Sequence, residues 1–163
     1  MNKELKNEII KKMIIYFGYN NKYINHTYRV LDYAEEISDI EKSDPDIVIY
    51  SAILHDIGIP ECEKKYNSAE GQLQEMEGPP VAREILESLS INEEIIKEVC
   101  EIVGCHHSPG EVETMNFKIM WDADWLVNVP DVYDIKDKTN LVEIINKTFM
   151  TKSGLEKAKE IYL

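Results

Sequence analysis

The chain has 163 residues, 44% hydrophobic and 30% charged, which suits one globular domain with a substantial core and lies outside the range of disordered chains. Its 31 acidic residues against 18 basic ones leave a net charge of −13, which repels nucleic-acid backbones and anionic lipid surfaces, and no local basic patch overrides it. The opening MNKELKNEIIKKMIIYFGYN is broken by charges throughout, so it offers no signal-peptide core and no run of about 20 apolar residues, and the protein is expected in the cytoplasm.

The rest reads as a succession of helices with little competing strand signal, and no repeat or linker divides it. From Leu5 to Phe17 apolar residues recur at three- and four-residue steps, as an amphipathic first helix requires. His26, Arg29, Val30, Tyr33 and Ile37 share one face of a second helix, which carries a histidine toward the core. In KSDPDIVIYSAILHD, Asp44 is placed to cap a third helix, Pro45 suits its first turn and Asp46 complements its dipole. Ile47 to Leu54 is almost wholly apolar, so this helix should be surrounded by protein, with His55 and Asp56 in its last turn and Gly58 as a left-handed stop.

Residues 60–78 are polar and read as a loop, with room for a short helix inside it, after which Pro79 and Pro80 lead into a helix with the stripe Val81, Ile85, Leu86 and Leu89. Ser90 and Glu93 have capping-box spacing for the next helix, which should run to about Gly104 and deliver His106 and His107. Phe117 to Val129 form another apolar helix containing Asp122 and Asp124, ended by Pro130. Two C-terminal helical pieces, Leu141 to Met150 and Leu155 to Tyr162, complete an all-α single-domain bundle spanning 1–163, with the C-terminal helices within 138–163. The cysteines Cys62, Cys100 and Cys105 form no CxxC pair, so reduced thiols are the default.

All four histidines therefore lie at core-facing or helix-terminal places. A single histidine or aspartate at a helix end is more often a hydrogen-bonding residue than a ligand. The ordered set changes that balance, because burying Asp56 or Asp124 as an unpaired carboxylate costs several kcal/mol or forces protonation. A shared divalent cation removes the conflict, and mixed imidazole and carboxylate donors suit several first-row metals or magnesium.

The order His26 in HTYRV, His55-Asp56 in ILHDIG and Asp124 in WDADWLVN resembles the HD-domain superfamily of metal-dependent phosphohydrolases, over roughly residues 24–129. The resemblance implies an all-helical HD-type fold in which His26, His55, Asp56 and Asp124 hold a divalent ion (Mn, Fe, Zn, Co, Ni or Mg). Choosing Asp124 over Asp122 follows the family's usual AD-x-L phrasing, matched by Ala123 to Leu126. Asp122 then becomes a candidate for orienting a ligand from behind. The chain is also similar to a subgroup with HDIG, a later histidine pair and two metals, through Ile57-Gly58 and His106-His107. It lacks that subgroup's extra histidine near Gly78, where Glu77 or Glu75 would have to supply an oxygen. One ion and two ions both remain open.

The chemistry implied is hydrolysis of a phosphomonoester or phosphodiester by metal-activated water, on a small phosphorylated metabolite such as a nucleotide. Asp56, Arg29, His106 and His107 are the candidate catalytic residues. Arg29, one turn beyond His26, would meet the developing phosphoryl charge, with Lys64 or Lys65 as weaker candidates and Glu61 as a proton-transfer candidate. The alternatives are an HD-fold di-iron oxygenase and a non-catalytic module binding a metal and a nucleotide. No nucleic-acid or membrane partner is expected, and a homodimer is compatible with the sequence.

Overall fold

The computed structural model describes residues 2–163. Among them the chain is all helical: α1 (Lys3–Tyr16), α2 (Asn21–Ser38), α3 (Pro45–Leu54), α4 (Ile59–Tyr66), α5 (Gly71–Glu87), α6 (Glu93–Val103), α7 (Met115–Val132), α8 (Lys138–Thr148) and α9 (Lys152–Tyr162). None is long and apolar enough to cross a membrane.

Helix α3 forms the axis. Every residue from Ile47 to Leu54 is buried, and α1, α2, α6 and α7 pack around it, with α2 also lying against α7. Asp44 caps α3 through the N–H groups of Asp46 and Ile47. Asp44 also donates its own N–H to Asn116 Oδ1 at 2.8 Å, which ties the start of α3 to the start of α7. A helix enclosed in this way cannot shed its apolar face into water, so the residues at its C-terminal end are held as rigidly as the core itself.

The region after α3 departs from the sequence expectation. Gly58 has φ −73 and caps α4 instead of ending α3 in the left-handed region. It is small for a different reason: a Cβ there would lie 2.8 Å from both Gln74 O and Gly78 N, so α4 and α5 touch backbone to backbone. Residues 60–78, expected as a loop with room for a short helix, are mostly helical: they hold most of α4, a connection at 67–70 and the first half of α5. Pro79 and Pro80 lie inside α5 and not ahead of it. Each removes one intrahelical donor, and the burial of Ala82, Ile85 and Leu86, with α5 packed on α6, holds the helix through them.

Two further boundaries differ. Asn92, not Ser90, caps α6, and Ser90 takes φ 55 in the turn before it. Pro130 lies inside α7, which continues to Val132. The C-terminal helices form as expected with shifted ends, α8 packing on α9 and α9 on α7.

Candidate metal centre

Two helix ends build the centre by the same device. His55 follows the last residue of α3, and its Nδ1 donates to Ala52 O at 2.8 Å. His106 follows α6, and its Nδ1 donates to Val103 O at 2.7 Å. Each imidazole thus satisfies a carbonyl that the helix end leaves without a partner, and the proton fixed on Nδ1 turns the Nε2 lone pair outward. Helix α2 brings in His26, and the middle of α7 brings in Asp124.

The polar atoms then converge. His26 Nε2 lies 3.2 Å from His55 Nε2 and 3.1 Å from Asp124 Oδ1. Asp56 Oδ2 lies 3.5 Å from His26 Nε2 and 3.4 Å from His55 Nε2. Donors about 2.0–2.2 Å from one cation stand about 2.8–3.6 Å from each other at octahedral or tetrahedral angles, so the spacing fits a shared ion. A second set adjoins the first. Asp56, His106 and His107 offer atoms within 4.8 Å of one another, and Asp56 Oδ1 lies 3.5 Å from His106 Nε2. That nitrogen is buried and has no hydrogen-bond partner among the described residues, a costly state unless something binds it.

The electrostatics point the same way. Burial opposes ionisation of Asp56, yet His55 and His106 beside it hold its carboxyl well below the usual carboxylate range. Burial likewise opposes a charged Asp124, and the His26 hydrogen bond with His55 nearby outweighs it. For His55 burial disfavours the imidazolium, but Asp56 and Asp124 push its pKa up to about 9. The two buried carboxylates thus favour positive charge among the donors. Burial and the adjoining His106 move His107 the other way, below the ordinary histidine value.

The HD domain profile matches residues 23–146. The chain belongs to the HD-domain family. The crystal structure of a predicted HD superfamily hydrolase from an uncultured Thermotogales bacterium is similar in fold, with a TM-score of 0.68 and 25% identity over 97% of this chain and 83% of that one. No curated protein matches the sequence.

In this HD-domain protein the two donor sets open into a cavity of about 460 Å³, lined by Lys22, Arg29, His26, Asp56, His107 and Asp124 together with Asn25, Asn128, Asp131 and Gln74. Arg29 is exposed there and makes no ion pair among the described residues, whereas the other arginine, Arg83, pairs with Glu87 and Glu93. Lys64 and Lys65 do not line the cavity. Lys64 lies 3.9 Å from Glu61, and Lys65 pairs with Glu77 at 2.6 Å. Glu61 accepts from Tyr16.

Glu77 stands apart from both donor sets, with its two oxygens accepting from Lys65 and Tyr66. Asp122 faces away from the centre: it accepts the N–H groups of Met150 and Thr151 and the Thr151 hydroxyl at the start of α9. These hydrogen bonds make it a joint between α7 and α9. Burial dominates its environment and raises its pKa to about 6.

Lys22, Asn128 and Asp131 escaped the sequence reading. A signal was present. Lys22 precedes His26 by one turn, and Asn128 and Asp131 follow Asp124 by one and two turns, so all share a face with a donor.

Proposed function

We propose that this HD-domain protein is a cytoplasmic metal-dependent phosphohydrolase that releases phosphate from a small phosphorylated metabolite, with nucleotides among the candidate substrates. The observation that supports this reading best is the meeting of His26, His55, Asp56 and Asp124 at the edge of a cavity whose wall carries an arginine with no carboxylate partner among the described residues. A bound divalent cation supplies a lowered water pKa and polarises a phosphoryl oxygen.

The chain's own residues supply the rest. His26, His55, Asp56 and Asp124 would hold the first ion, and His106 and His107 would complete a second set with the remaining oxygen of Asp56. Arg29 presents a planar fork that matches two phosphoryl oxygens and meets charge as it develops in the transition state. Lys22, on the same face of α2, adds positive charge along the same wall. The chain's overall acidity does not prevent anion binding, because local charge decides it.

Metal-loaded protein screened against nucleotides and sugar phosphates should release inorganic phosphate, and a His55→Ala, Asp56→Ala double variant should not. Equal release by both would sink the assignment. Oxygen consumption by iron-loaded protein without phosphate release would replace hydrolysis by an oxygenase reading, and tight nucleotide binding with no product would indicate a binding module.

A further inference from the structure

Helix α5 meets the turn after α6 through one carboxylate. Glu75 Oε1 accepts the backbone N–H of His107 at 2.9 Å, and Glu75 Oε2 accepts the Ser108 hydroxyl at 2.9 Å. Both oxygens are thereby used on the same two-residue turn, and among the described residues Glu75 has no cationic partner. Two neighbours on α5 complete the contact. Gln74 places Oε1 3.4 Å from His107 Nε2, while its own amide donates to Ala69 O at 2.7 Å. Gly71 leaves room for the imidazole, because a Cβ there would lie 2.8 Å from the His107 ring.

The arrangement matters because the two histidines of the second donor set are fixed unequally. His106 is buried and its ring is locked by Val103 O. His107 is exposed, and its links run to Gln74 and Glu75, with the His106 ring alongside at 4.0 Å between centroids. An exposed side chain on a post-helical turn has rotamer freedom to lose before it ligates. A carboxylate that holds the turn's N–H and the next hydroxyl fixes the backbone from which that side chain springs, and Gln74 Oε1 restrains the ring itself.

We propose that Glu75 is a positioning residue that holds His107 in the second donor set, so that occupancy of the second ion depends on the docking of α5. The proposal rests on the two-ion reading of the centre. Glu75 is not itself an ion ligand in this account: its oxygens serve the turn.

Manganese titration by calorimetry, with elemental analysis and thermal unfolding of each protein, tests this on wild type, Glu75→Ala and Glu75→Gln. Wild type should bind two ions. Glu75→Ala should keep the first at unchanged affinity and weaken the second by about 10- to 100-fold, the usual effect of losing a partner that orients a ligand. Glu75→Gln should restore the second ion, since its amide oxygen accepts the His107 N–H and its amide nitrogen donates to the Ser108 hydroxyl. Unchanged binding of both ions by Glu75→Ala overturns the proposal. So does equal weakening of both ions with a lowered Tm, which is what a general structural role would produce. A Glu75→Gln variant as impaired as Glu75→Ala would make Glu75 an oxygen ligand and overturn it as well. Wild type that binds a single ion refutes the two-ion reading, and the proposal falls with it.

Discussion

Asp56 faces His55 with one carboxylate oxygen and His106 with the other: Oδ2 lies 3.4 Å from His55 Nε2, and Oδ1 lies 3.5 Å from His106 Nε2. The aspartate of the HD pair thus offers one oxygen to each donor set, which α2, α3 and α7 supply on one side and the turn after α6 on the other. Adjacency in sequence to His55 is what makes this possible. A helix-terminal imidazole and the next residue's carboxylate leave the chain in different directions, and α6 packed on α3 brings the second histidine to the free oxygen.

Asp56→Asn should therefore remove both ions, whereas His106→Ala should remove only the second. Elemental analysis of the two variants checks this directly. Phosphate release by Asp56→Asn should fall by more than the roughly 10- to 100-fold expected from losing a residue that merely orients a ligand. Retention of two ions by Asp56→Asn would show that the carboxylate bridges nothing.

Arg29 touches none of the donors, so its removal should spare metal content. Arg29→Ala should lower kcat by about 10²–10³-fold, the scale measured when one preorganised donor to a developing charge is lost. Arg29→Lys should recover only part of this, because a point charge does not reproduce the planar fork. Full activity in Arg29→Ala would remove the residue from the mechanism.

The raised pKa of His55 sets a pH dependence for both stability and metal uptake. Its folded-state pKa of about 9 exceeds the ordinary value of 6.5, so the protonated group stabilises the metal-free protein fully below about pH 6.5, and this contribution is lost as pH rises through 9. The Tm of chelator-treated protein should fall across that window. A metal ion needs the neutral imidazole, so binding at pH 7 should release about one proton, and apparent affinity should rise about tenfold per pH unit until pH 9. Calorimetry in buffers of different ionisation enthalpy measures the proton count, and a count of zero at pH 7 would contradict a protonated His55.

Asp122→Asn should leave metal binding intact and lower stability. The substitution replaces a buried acceptor of three hydrogen bonds by a group with one acceptor oxygen, so the amide nitrogen faces either the Met150 N–H or the Thr151 N–H and strands it, at about 1–3 kcal/mol for a buried group left unpaired. Differential scanning calorimetry beside elemental analysis separates the two effects, and loss of metal would return Asp122 to the centre.

The sequence made the donors legible because they obey local rules. His26 shares the apolar face of α2, and the enclosed character of α3 follows from its unbroken apolar run, so the two elements and their polar exceptions stand out without coordinates. Asp122 and Asp124 could not be separated on that basis, since both occupy an all-round buried helix and only the position of α9 decides which way each points. The reading of 60–78 as a loop with room for only a short helix fell short for a related reason. Its composition is polar and two prolines follow it, yet α5 is held by contacts from Gly58, Val103 and α6 that have no signature in the segment itself. Gly58 was misassigned because a glycine after a helix signals a left-handed stop, whereas here it permits the close approach of another backbone.

That contact gives the last prediction. The Cβ of a Gly58→Ala variant would fall 2.8 Å from Gln74 O and Gly78 N, both main-chain atoms that cannot swing aside, so α4 and α5 must separate or distort. Overpacking of this kind costs about 1–3 kcal/mol, and for a chain of this size each kcal/mol lowers Tm by about 2–4 °C. The damage should extend to the centre. Gly58 lies two residues after Asp56, and Gln74, whose carbonyl would be struck, also reaches His107. Gly58→Ala should therefore weaken the second ion more than the first in the same manganese titration, and a wild-type Tm with wild-type binding would show that the two helices have room that the backbone contact denies.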